Sequence, residues 1–289
     1  MPLALGIGLG PTFGGALKAR FVGPLDGLPA VTVAYSVRRL LTSYVANKAV
    51  NVRRNSDQGT LDIGFLANGD LDVPSLTTFL NATTGAIAIW YDQSGNGMDV
   101  SQATAAKQPT VLSPGHYNSK TSIVFTAASA QELTRNAAVP ALTGDVTMAA
   151  LSRPATNPGA ATVACRDPGA AANGTFGWRK ATGKDLLTTP NVVNATASAT
   201  LGETIGTNYI AGFTRSGSNI TYYQNGAANG TATLAPAGAT VQWRIGGQGA
   251  SGSASLNDEM PEILVWDSVI SGPNLTALFA NMNAYYTVF

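Results

Sequence analysis

The sequence predicts an all-β sandwich with short helices near its N-terminus and one helix at its C-terminus. Three observations predict it. From about residue 120 the chain is a succession of short β-prone runs between turn clusters. Asn-Gly, the strongest short hairpin signal, recurs at 68, 96, 173, 225 and 229. Only the tail "GPNLTALFANMNAYYTV" returns to helical spacing, through Leu275, Leu278, Phe279 and Met282. Many strands and one terminal helix make a sandwich.

The elements follow in order. Residues 1–30 are rich in glycine and proline yet apolar, unlike a Gly/Ser linker, and are read as an arm ahead of a domain spanning 31–289. "AYSVRRLLTSY" (34–44) carries Val37, Leu40, Leu41 and Tyr44 at helical spacing and predicts a helix. "VNVRRNS" and "LDIGF" predict strands joined by a turn at Ser56-Asp57-Gln58-Gly59. "VPSLTTFLN" predicts a brief helix with Pro74 in its first turn, and "AIAIWYDQ" the next strand. The later strand candidates are "SIVFT", "QELTRN", "DVTMAALSRP", "ATVACRD", "TFGWRKA", "NYIAGFTRSG", "NITYYQNG", "TVQWRIGG" and "PEILVWDS". Six Asn-x-Thr triplets, from Asn81 to Asn274, read as turn and strand composition.

Composition excludes several classes. The 289 residues include 11% charged side chains and a formal net charge of +1, so no basic excess exists to hold nucleic acid or anionic lipid. The apolar N-terminus lacks a basic n-region and is interrupted by glycines and Pro11, which predicts neither a signal peptide nor a membrane span. The expectation is a soluble chain made in the cytoplasm. Cys165 and His116 are the sole cysteine and histidine, which excludes an intrachain disulfide, a thiolate cage and a multi-histidine metal site. His116, in the turn-rich "SPGHYNSK", is expected to be a solvent-facing loop residue.

Two stretches carry a family resemblance. Residues 34–111, from "AYSVRRLLTSY" through "VNVRRNSDQGTLDIGF" to "AIWYDQSGNGMDVSQATAAKQPTV", resemble the N-terminal half of the α-L-arabinofuranosidase B catalytic domain. "ITYYQNGAANGTATL", "WRIGGQ" and "PEILVWDSVISGPNLTALFANMNAYY" resemble the closing hairpins and helix of laminin-G-like domains. The resemblance implies a concanavalin A/laminin-G-like jelly roll. The same N-terminal pattern is familiar from virion proteins of tailed bacteriophages, which often begin with a short Gly-rich apolar leader.

The family is a retaining glycosidase, which needs a carboxylate nucleophile and a carboxylic acid about 5 Å apart. The resemblance implies that the acid follows the Gly-Gly pair, where this chain has Gln248 after Gly246-Gly247. An amide cannot deliver and retrieve a proton. The segment corresponding to the nucleophile, around Cys165, has Asp167 and no glutamate; the chain's glutamates are Glu132, Glu203, Glu259 and Glu262, the last at the strand position typical of the fold. This departure implies a domain that does not cleave.

Asp92, Ser94, Asn96 and Asp99 form an acidic corner. It reads as a structural turn, with Asp92 and Ser94 bonding their own backbone and Gly95 and Gly97 at positive φ; Ca²⁺ is the alternative reading of the same oxygens. Trp90 and Trp266 lie in apolar strands and read as core. Trp178, in a glycine-rich stretch, with Arg179, Asp185 and Gln248, forms the expected carbohydrate-binding set, an aromatic face for the sugar and polar groups for its hydroxyls.

The expectation is therefore a non-enzymatic virion protein, at a tail tip or fibre or decorating the head. It binds host surface glycan and contacts other virion proteins through residues 1–30. It forms a homo-oligomer for which a trimer is suitable, with no nucleic-acid or membrane partner. The rival is an active glycosidase or polysaccharide depolymerase with displaced carboxylates, Asp167 or Asp258 among them.

Overall fold

The computed structural model describes residues 20–135, 137, 142, 144–156, 203–233, 243–247, 255–270 and 272–289, and the backbone of the strands between 161 and 200. Among the described residues all strand pairs are antiparallel, as hairpin-rich sequence favours. One sheet runs Val33–Ser36, Glu262–Trp266, Val146–Pro154, Tyr209–Ser216, Asn219–Gln224, Ala227–Thr233. The other is branched at Gly85–Trp90. One arm passes through Thr110–Tyr117 and Lys120–Phe125 to Asp258–Met260. The second passes through Val100–Ser101, Leu133–Arg135 and Trp243–Ile245 to Ala161–Cys165. Val50–Arg54 and Thr60–Ile63 extend the branch strand on its other side.

Val146–Pro154 belongs to both sheets, because its last residues, Arg153 and Pro154, pair with Glu259 and Asp258. Its alternate side chains are buried on both faces, so the sequence there is nearly continuously apolar rather than alternating. Between the sheets lies a core in which Trp90, Trp243, Tyr35 and Phe125 are fully enclosed; Trp266, equally buried, shares the outward parity of Glu262 in its strand. The fold is an all-β sandwich of jelly-roll type.

The C-terminal helix Gly272–Tyr286 lies over the outer face of the first sheet, burying Leu275, Leu278, Phe279, Met282 and Tyr286. The short helix Val73–Leu80 starts at Asp72, whose carboxylate accepts from Ser75 N at 3.0 Å and Ser75 Oγ at 2.7 Å. It ends at Asn81 in the left-handed region.

The helix expected over 34–44 is absent. Val33–Ser36 is a strand paired with Glu262–Trp266, with all four side chains buried. Val37 and Leu40 are core residues of the irregular segment that follows. Apolar side chains facing two sides of a covered strand imitate a helical stripe. Asn225-Gly226 makes the hairpin turn its sequence predicts, with both residues at positive φ. Asn229-Gly230 does not: it lies inside Ala227–Thr233, and Gly230 at φ 110° accompanies an irregularity in the pairing with Asn219–Gln224.

Residues 21–30 are seated on the sandwich. Leu25 is in the core, and Pro29 O accepts from Trp266 Nε1 at 2.9 Å. Residues 1–19 of the expected arm lie outside the described residues. No described helix is long and apolar enough to cross a membrane.

Candidate functional site

Strand register decides which side chains face away from the core. In Asp258–Met260, Met260 is opposite Ile123 and both are core residues, so Glu259, opposite Val124, points to the open face of the second sheet. In Leu133–Arg135, Leu133 is opposite Ile245 in the core, which sends Glu132, Thr134 and Arg244 to that same open face.

Both glutamates are nevertheless almost enclosed, and each holds a basic partner. Glu132 is 8% exposed, and its Oε2 accepts from Arg244 Nη1 at 2.7 Å. Glu259 is 4% exposed; its Oε1 accepts from His116 N at 2.8 Å, and its Oε2 lies 2.6 Å from His116 Nδ1. The irregular pairing between Leu112 and Tyr117 folds Gly115 and His116 over Glu259. Only glycine fits there: a Cβ on Gly115 would lie 2.5 Å from Lys120 O and 2.9 Å from Glu259 Oε1.

Glu132 is the more telling of the two. A Cβ on Gly247 would stand 2.6 Å from Glu132 Oε2, so the carboxylate rests directly against the Gly246-Gly247 pair. Arg244, its partner, is the register partner of both Thr134 and Cys165. The strand leading to the Gly-Gly pair and the strand ending at Cys165 are therefore neighbours, with Glu132 beside them. Chemically, the pair offers a carboxylate that accepts hydrogen bonds next to a cation that donates them, the complement of vicinal sugar hydroxyls.

The acidic corner is differently employed. Asp92 Oδ1 accepts from Ala34 N at 2.9 Å and Ser94 N at 3.0 Å, while Oδ2 accepts from Ser94 Oγ at 2.6 Å and Met98 N at 3.0 Å. Asp99 Oδ1 accepts from Asp92 N at 2.8 Å, and Asn96 Nδ2 donates to Thr32 O at 2.9 Å. Gln93 is spent on Leu40 N, Ser36 O and Arg38 O. These bonds stitch the corner to the Val33–Ser36 edge and occupy Asp92 with donors, leaving it a poor cation ligand. Among the described residues no group of three His, Cys, Asp or Glu could hold a metal ion.

The carbohydrate set expected from sequence lies outside the residues whose side chains are described. The side chains of Trp178, Arg179 and Asp185, and all of Asp167 and Gln248, lie outside the described residues; the backbone pairs Trp178 with Leu187 and Lys180 with Asp185. His116 is not a loop residue: it belongs to Thr110–Tyr117, with its side chain 53% exposed and paired to Glu259. Glu262 is fully buried, held by Arg38 under the C-terminal helix. Sequence reading missed the Glu132–Arg244 and Glu259–His116 pairs. The alternation Glu132-Leu133-Thr134 was a usable sign that Glu132 leaves the core.

Fold and register together define a jelly-roll-type sandwich that carries the Glu132–Arg244 and Glu259–His116 pairs on the outward face of its second sheet. Residues 25–138 match the family model of the catalytic domain of α-L-arabinofuranosidase B. The probable α-L-arabinofuranosidase B of Aspergillus flavus is 38% identical over 106 residues, 35% of this chain and 20% of that protein. Its counterpart in Aspergillus fumigatus is 38% identical over 87 residues, 28% of this chain and 17% of that protein. The matched part thus spans a fifth or less of these curated relatives' length. A GH54 α-L-arabinofuranosidase soaked with a cyclic sulfate inhibitor superimposes with TM-score 0.72 at 16% identity, covering 92% of this chain and 66% of that one. An arabinofuranosidase complexed with arabinofuranosyl-alpha-1,2-xylobiose gives 0.71 at 17% identity, covering 92% and 65%. At such identity the likeness is one of fold.

Proposed function

We propose that this chain is a glycan-recognition domain that binds furanosyl-bearing carbohydrate on the open face of its second sheet without cleaving it. The observation that carries the reading is the contact of the Glu132–Arg244 pair with Gly246-Gly247, next to Gln248. Where the resembling family places an acid, this chain has an amide, and the neighbouring carboxylate is tied to a guanidinium. An ion-paired carboxylate is an acceptor and has no proton to deliver to a leaving oxygen.

The finer reading places the domain on the periphery of a tailed-phage virion, anchored by its apolar N-terminal residues. A groove of about 800 Å³ bounded by Arg20, Leu25, Leu28, Pro29, Val31 and Val45 supports attachment at that end. The apolar, glycine-rich composition of residues 1–30 supports it too.

A glycan array probed with the intact chain tests recognition. Binding to arabinofuranosyl or related oligosaccharides is expected, and Arg244→Met abolishes it while the fold is retained. A chain that binds no glycan on the array removes the reading. One observation favours a second reading, hydrolysis: Glu132 and Glu259 are two enclosed carboxylates on one face. Release of arabinose that is abolished by Glu132→Gln would establish it.

A further inference from the structure

A second pocket, none of whose lining residues belongs to the open-face cluster, lies between the start of Val73–Leu80, the Asn118-Ser119 turn and the end of the C-terminal helix. Its volume is about 290 Å³. Val37, Leu66, Leu71, Val73 and Pro74 form apolar walls, while Asp70, Asn118, Ser119, Lys120 and Tyr285 supply polar groups. We propose that this pocket binds a single neutral sugar ring.

The polar side is built in layers from the interior outwards. Glu262 is wholly buried and takes a forked pair of bonds from Arg38, at 2.8 and 3.0 Å. The Arg38 guanidinium lies 4.7 Å from the centre of the Tyr285 ring, and Lys120 Nζ lies 4.4 Å from the same centre. The Tyr285 hydroxyl donates to Asp70 Oδ1 at 2.5 Å, and Lys120 Nζ donates to that oxygen at 3.1 Å. Asn118 Nδ2 holds Tyr285 O at 3.1 Å, and Asn68 Nδ2 holds Asp70 Oδ2 at 2.9 Å. The backbone is fixed as well, since Arg38 bridges to Asp70. Asp70, Asn118, Lys120 and Tyr285 are thus set in place before any ligand arrives, which lowers the ordering cost of binding.

Chemistry selects the ligand class. The charges of Asp70 and Lys120 oppose each other at 3.1 Å, so the pocket has no net charge to attract an ion. An ammonium has three donors, of which Asp70 uses one, and a carboxylate has lone pairs beyond those used here. Donors and acceptors side by side, facing apolar walls, suit a ring with hydroxyls on its edge and C–H groups on its face. The volume suits one ring rather than a chain. This inference stands apart from the open-face reading and survives its failure.

The test is a titration of the intact, ¹⁵N-labelled chain with L-arabinose, D-xylose, D-galactose and D-glucose, read by amide shifts. At least one sugar should give saturable shifts at residues 66–73 and 118–121. Lys120→Met keeps the stem over Tyr285 and should weaken that binding about ten-fold, the scale of one charge-assisted hydrogen bond. Val73→Trp, at an already exposed rim position, should fill the pocket and abolish the shifts. Glu132→Gln, on the open face, should leave them unchanged. No saturable shift with any of the four sugars overturns the proposal. So do shifts that persist undiminished in folded Lys120→Met and Val73→Trp chains.

Discussion

Arg38 and Glu262 are joined by two hydrogen bonds, Nε to Oε2 at 2.8 Å and Nη2 to Oε1 at 3.0 Å, with side chains only 5% and 0% exposed. Ser36 Oγ donates to the same Oε2 at 2.7 Å, and Tyr286 OH lies 3.1 Å from it. The pair clamps the first sheet to the C-terminal helix, because Arg38 Nη1 also donates to Asn281 Oδ1 at 2.7 Å. Removing one charge strands the other in the interior. Glu262→Gln should therefore cost about 3–5 kcal/mol in a urea titration, whereas Arg38→Met with Glu262→Leu should recover most of that loss.

Asp92 serves the fold in the same sense. Its oxygens accept four hydrogen bonds from three residues, two in its own loop and one in the Val33–Ser36 strand. Asp92→Asn turns one of those acceptors into a donor facing an N–H or O–H. A loss of about 2–3 kcal/mol is expected, seen as a lower Tm, with glycan binding by the folded fraction unchanged.

How far the sequence could be read follows from how local each feature is. The hairpin at Asn225-Gly226 and the helix capped by Asp72 rest on neighbours within a few residues, and both were legible. The false helix at 34–44 arose because a covered strand and an irregular turn place Val37 and Leu40 inward without any helical period. The two glutamate pairs were illegible for another reason. Arg244 lies 112 residues from Glu132, and Glu259 lies 143 from His116, so only the closed sheet brings them together. The corner at Asp92 could be read as a turn from its Asp-x-Ser-Gly spacing, but its bond to Ala34 N could not.

The two adjacent glycines should respond differently to alanine. Gly246 has φ +92°, and a Cβ there would lie 2.3 Å from the Phe125 ring and 2.8 Å from Gln131 O. Gly246→Ala should destabilise the chain by about 1–3 kcal/mol through overpacking and strain. The three atoms nearest a Cβ on Gly247 all belong to the Glu132 side chain, Oε2 at 2.6 Å, Cβ at 3.0 Å and Cδ at 3.3 Å. Gly247→Ala should displace the carboxylate from Arg244, lowering Tm less than Gly246→Ala does while glycan affinity falls about ten-fold. Calorimetry on both variants separates fold from site.

Asp70 gives a pH signature. Partial burial alone would raise its carboxyl, but the Tyr285 hydroxyl and the Lys120 ammonium outweigh this and hold it below the usual 3.8. A carboxylate lowered in the folded state adds stability above its unfolded value, and that stability is lost as pH falls through the folded value. Stability of the native chain should thus decline as the pH drops below about 4. Asp70→Asn should flatten that part of the curve, and acid titration followed by circular dichroism checks it.

On the proposed reading, the open face of the second sheet recognises glycan without cleaving it. The most direct measurement incubates the intact chain with arabinofuranosyl oligosaccharides, recording heat of binding and released arabinose on the same samples. Saturable binding, lost in Arg244→Met and unaccompanied by arabinose release, is the predicted result. Turnover that disappears with Glu132→Gln would contradict it and make the domain a glycosidase with a displaced carboxylate.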